Sequence, residues 1–91
     1  KRAIYFQPKD RVSRMLYAMH LHQIKQFTLA EHMYLGALAI NDKDPELNYN
    51  LGLLYVDLNM LDKAQKHADI AYNAGHPLPG LRNKITKLRS K

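Results

Sequence analysis

The chain has 91 residues and a mass of 10.6 kDa, which fits one small domain and excludes a multidomain enzyme. It is 46% hydrophobic and 24% charged, too apolar for a disordered segment; with no cysteine, it excludes disulfides, zinc thiolates and cysteine nucleophiles, and cytoplasm and periplasm are equally compatible. Lysine and arginine number 14 against 8 acids, a net +6 that permits nucleic acid, anionic lipid or an acidic protein as partner without choosing among them.

The opening KRAIYFQPKD lacks the apolar core of a signal peptide. No apolar run reaches the roughly 18 residues of a membrane span, so these residues are expected to lie in water. From Arg11 to Ile24, apolar residues recur at helical spacing on more than one face: Val12, Met15, Leu16 and Met19, and also Tyr17, Leu21 and Ile24. This predicts a first helix with Asp10 as its N-cap. Phe27, Ala30, Tyr34, Ala37, Leu38 and Ile40 predict a second. Asn41-Asp42-Lys43-Asp44-Pro45 predicts a break, with Asp44 as N-cap and Pro45 at the first helical position, where its missing N–H is not needed. A third helix is expected from Pro45 to about Leu58 and a fourth from Leu61 to about Ala74, ended by Gly75 with Pro77 barring continuation. A last amphipathic segment, Pro79 to Arg89, carries Leu81, Ile85 and Leu88 on one face. Nothing alternates like a strand.

Sliding the chain against itself by 34 residues superposes helix on helix. Ala3 falls on Ala37 and Ala71, Ala30 on Ala64, Ala18 on Gly52, Lys9-Asp10 on Lys43-Asp44, and Pro45 on Pro79. Small residues recur where paired helices must approach closely, which gives the repeat a mechanical reason.

With this register the chain resembles the tetratricopeptide repeat family, built from 34-residue helix-turn-helix units. Residues 45–78 carry the resemblance best, through Asn50-Leu51-Gly52, the aromatic Tyr55, and the small residues Ala64 and Ala71. Residues 11–44 depart from it, with Tyr17-Ala18 in place of Leu-Gly and Asp42 where the family often has proline. The resemblance implies a single all-α domain: residues 1–10 as the tail of a preceding repeat, 11–44 as repeat 1, 45–78 as repeat 2, and 79–91 as a capping helix with Arg82, Lys84, Lys87 and Arg89 facing out. It further implies antiparallel helix pairs stacked as a right-handed superhelical solenoid, the chain being a piece of a longer array. The run AYNAGHPLPGL over residues 71–81 looks like closures in bacterial members linked to envelope assemblies.

In the family the first helix of each unit lines a concave groove that receives a partner peptide. That implies a non-catalytic protein-binding scaffold with a groove of Val12, Met15, Met19, His22 and Gln23 from one unit and Glu46, Tyr49, Leu53, Val56 and Asp57 from the next. The same stripe could equally seal neighbouring helices, and its methionines suit an adaptable apolar contact. Chaperone-binding members surround a carboxylate with Lys, Asn and Arg; only Asn50 and Lys84 match here, so no such clamp is expected.

Other chemistries fit less well. His20 and His22 point to different sides of a helix, and His32, His67 and His76 lack close partners in sequence, so solvated or capping histidines are expected rather than a metal site. Residues 42–46 place carboxylates alternately but lack the glycine and distal glutamate of a calcium loop. No paired acid and base suggests catalysis, and no cofactor is expected. Nucleic acid is the rival partner, since eight aromatics accompany the positive charge, yet Tyr17, Phe27, Tyr34 and Tyr55 fall at packing positions and the basic residues gather at the two ends. Self-association through an uncovered repeat end is the other alternative.

Overall fold

The computed structural model describes the backbone of residues 11–90 and the side chains of residues 13–90. The expected Asp10 cap, the expected repeat tail over residues 1–10 and the side chain of Val12 lie outside these described residues. Five helices follow in order: α1 Arg11–Gln23, α2 Phe27–Leu38, α3 Pro45–Asp57, α4 Leu61–Asn73 and α5 Gly80–Arg89. Among the described residues there is no strand, and no helix is long and apolar enough to cross a membrane.

Backbone hydrogen bonds reproduce the 34-residue register. At the end of α1, Lys25 takes a left-handed φ of 67°, its N–H donates to the His22 carbonyl at 3.0 Å, and the Gln26 N–H donates to the Leu21 carbonyl at 2.8 Å. At the end of α3, Asn59 has φ 59° and the same two bonds run from Asn59 to Val56 and from Met60 to Tyr55. Gly75, with φ 95°, ends α4 the same way through Gly75 to Tyr72 and His76 to Ala71. Each is a paired closure of the last helical carbonyls around one left-handed residue. Only at Gly75 is that residue a glycine, which adopts the conformation without strain. At the start of α3, the side chain of Asp44 accepts from the Leu47 N–H at 3.0 Å, with Pro45 next in the chain.

The three-residue turns at 24–26 and 58–60 fold α2 back on α1 and α4 back on α3, and these two pairs make the most extensive contacts; α2 also meets α3, and α5 lies against α3 and α4. The small residues of the register, Ala18, Gly52, Ala30, Ala64, Ala37 and Ala71, are all buried, Gly52 against the isobutyl group of Leu81. The α5 face repeats that of α3 one period on. Leu47, Leu51 and Leu54 are fully buried, and at their register positions Leu81 and Ile85 are buried and Leu88 half-buried. Thus α5 covers the end of the α3–α4 pair with the same side chains that α3 turns to its own neighbours. Arg89 at the end of α5 reaches Asp62 at the start of α4, both at 3.3 Å from its guanidinium to the Asp62 carboxylate and to the Leu61 carbonyl.

Candidate functional site

A hollow of about 340 Å³ opens between α1, α3 and the start of α2. From α1 it is lined by Met19, His22 and Gln23; from α3 by Asn50, Leu53 and Asp57. Lys25 stands in the turn at its edge, and Phe27 and the buried Tyr34 complete it from α2. Met19 is 40% exposed, and one turn before it Leu16 is 56% exposed, so an apolar strip continues from the hollow along α1. One position of α3 sits in register with each of these: Asn50 with Leu16, Leu53 with Met19, Asp57 with Gln23.

A side-chain contact spans the hollow. His22 Nε2 lies 2.6 Å from Asp57 Oδ2, joining α1 to α3, and the imidazole is held edge-on to Phe27 with ring centroids 5.8 Å apart. Tyr34 behaves differently. Its side chain is fully buried, burial pushes its hydroxyl well above the usual phenol range, and that hydroxyl is the one buried side-chain polar atom without a hydrogen-bond partner among the described residues. The neighbouring Tyr55, likewise raised by burial and by Glu31, does have a partner: its hydroxyl donates to Glu31 Oε2 at 2.7 Å, tying α3 to α2.

Five of the ten groove residues expected from the sequence therefore meet at one place: Met19, His22, Gln23, Leu53 and Asp57. Met15 is half-buried against the core. Tyr49 and Val56 are buried, Tyr49 stacked on the His76 ring at 4.0 Å between centroids and 6° between planes, on the side of α3 that faces α5. Its hydroxyl is close enough to Gly80 that a Cβ there would stand 2.8 Å away. Glu46 is exposed at the other end of α3, where with Pro45, Gly75, His76, Pro77 and Leu78 it borders a second hollow of about 330 Å³. Lys25, Phe27, Tyr34 and Asn50 line the first hollow without having been expected there. For Tyr34 a signal existed in the register, since a bulky phenol stands where the next unit has Ala68.

His20 and His32 are exposed, as expected, whereas His22, His67 and His76 are less solvated than the sequence suggests. His76 is buried; its Nδ1 accepts from the Leu78 N–H at 3.3 Å, so Nε2 carries the proton and donates to Glu46 Oε1 at 2.9 Å. His67 is half-buried and its Nδ1 sits 2.7 Å from Asn48 Oδ1. Because Asn48 Nδ2 donates to the carbonyls of Asp42 and Asp44, its Oδ1 must accept, which places the His67 proton on Nδ1. No group of three or more metal-ligating side chains gathers among the described residues.

Burial, reinforced by Lys66 and Lys63, holds His67 below the ordinary imidazole range. The unfolded chain then binds a proton that the fold resists, so this residue's contribution to stability is present above about pH 6.5 and is lost as pH falls below it. The thermal midpoint of the parent protein should accordingly fall relative to that of His67→Gln between pH 7.5 and pH 5.5. A difference between the two that stays constant across that window would show that His67 titrates alike folded and unfolded.

No family model matches this chain, and no curated protein or solved structure matches it. What it can do has to follow from its own geometry.

Proposed function

We propose that this chain is a non-catalytic protein-interaction scaffold of tetratricopeptide type, its helix pairs stacked as a right-handed solenoid closed by α5, and that a segment of a partner protein lies along α1 and α3. The observation that carries this reading is the hollow between those two helices, walled by Met19, Phe27 and Leu53 and continued by the exposed Leu16. Apolar side chains left open in a concavity between packed helices suit a helix or extended peptide. The recurring turn geometry at Lys25 and Asn59 supports the repeat on which it depends.

Nucleic acid fits less well, because the basic face of α5 is partly engaged: Arg82 stacks over the Tyr72 ring at 4.2 Å and Arg89 pairs with Asp62. The test is a selection from a displayed peptide library on the immobilised protein. Enriched peptides should lose binding to the double variant Met19→Ser, Leu53→Ser while its helical circular dichroism stays unchanged. Binding that survives both substitutions would remove the α1–α3 hollow as the site.

A further inference from the structure

The chemistry around the hollow is asymmetric. Its walls are apolar, its fixed charge on α3 is the Asp57 carboxylate, and among the described residues His22 meets one oxygen of that carboxylate. Asn50 and Gln23 add amide oxygens at the same opening, and the phenol of Tyr34, with its unpartnered hydroxyl, lies behind them. These groups share the capacity to accept hydrogen bonds, and Phe27 and Met19 offer surface for an aliphatic stem or a flat cation. Among the lining residues the opposing groups are Lys25, in the exposed turn at the edge, and the His22 imidazole when it is protonated.

We infer that the hollow receives an arginine side chain from a basic segment of the partner, its stem against Met19, Phe27 and Leu53 and its guanidinium directed to Asp57. This rests on the reading of the hollow as a partner site and adds to it the identity of the anchoring residue. A guanidinium suits the position because its five donors in a rigid fork can meet acceptors that lie apart, where an ammonium would meet them one at a time. Charge placement agrees: residues 26–69, which supply most of the hollow, hold seven acids and three bases, although the whole chain is basic. The α3 wall with Asp57 thus belongs to the acidic stretch of the sequence, which favours a cationic segment on that side.

The experiment titrates the ¹⁵N-labelled 91-residue protein with three terminally blocked pentapeptides, Gly-Ala-Xaa-Ala-Gly, in which Xaa is arginine, norleucine or glutamate. The arginine peptide should shift the amides of His22, Asn50 and Asp57 and bind most tightly. Asp57→Asn should weaken it about tenfold and leave the norleucine peptide unaffected. Lys25→Gln should tighten it about threefold, the sign expected only for a cationic ligand. Norleucine binding as well as arginine at the same amides would overturn the arginine anchor and leave the groove standing. Tighter binding of glutamate would reverse the charge assigned to the ligand, and no shift at the hollow from any of the three would overturn both readings.

Discussion

Replacing Leu81 by alanine is expected to lower the unfolding free energy by about 3 kcal/mol, the usual cost of deleting a fully buried leucine where the site cannot collapse. Leu81 is fully buried, and its methyls lie directly against Gly52. For a domain of this size the loss corresponds to a drop in thermal midpoint of roughly 15 °C. Its effect should concentrate in α5. That helix has ten residues and no side-chain N-cap, too short to persist without packing. Protease cleavage after Arg82, Lys84 or Lys87 should therefore accelerate in Leu81→Ala before the rest of the chain is attacked. The contact can be tested from its other side. A Cβ added at Gly52 would stand 2.5 Å from a Leu81 methyl, so Gly52→Ala should destabilise by about 2 kcal/mol on its own, and by much less in the Leu81→Ala background, where the added methyl meets space. Additive losses would mean that the two residues do not press on one another.

The same contact shows what was legible before any coordinate. Gly52 answers Ala18, and Leu81 answers Leu47, at one period; both of the earlier residues are also fully buried. The same 34-residue spacing recurs in sequence and in packing, and α2 to α5 begin, and all five helices end, within one or two residues of their expected places. The turn residues carried their own chemistry too: Asp44 and Pro45 open α3, and Gly75 closes α4.

Side-chain direction was harder to read. Expected stripes at 12-15-19-22 and 46-49-53-56 are turned relative to the open stripes, which run 16-19-23 and 50-53-57, a rotation of about 50° on a helix of 3.6 residues per turn. Both sets share Met19 and Leu53, so apolar periodicity alone could not separate them. What decides between them is the neighbour. His76, thirty residues on from Glu46 and in a loop, stacks on Tyr49 and covers it, and no spacing rule reaches across such a loop. On the open side, the polar pair Gln23 and Asp57 marks the stripe that meets water. The polar residue that closes each open stripe, Gln23 or Asp57, was the better guide to its direction.

Asn48→Ala is expected to cost about 2–3 kcal/mol, although it removes a polar side chain from the interior and substitutes a better helix former. Asn48 is fully buried, and its side-chain amide is bonded to groups that have to be fixed for α3 to begin. Its Nδ2 holds the Asp42 carbonyl at 3.1 Å and the Asp44 carbonyl at 2.9 Å, and its Oδ1 accepts from His67 on α4. One amide thus fixes the α2–α3 loop, adds to the Asp44 cap and joins the two helices of the unit. Alanine would leave the Asp42 carbonyl and the His67 Nδ1–H without this partner in a partly buried setting, and the cost lies chiefly in those stranded groups rather than in the bonds themselves. Asn48→Asp should be no remedy, because a carboxylate would face two carbonyl oxygens in place of the donated N–H groups. The register offers no warning of this role: the positions one period either side hold Arg14 and Arg82. A double-mutant cycle with His67→Ala separates the two halves of the argument. If the amide matters through both links, Asn48→Ala should lose about 1 kcal/mol less when His67 is already alanine and still retain the larger part that belongs to the loop. Full additivity would place the whole cost in the loop, and a loss abolished in the His67→Ala background would place it in the bond to α4.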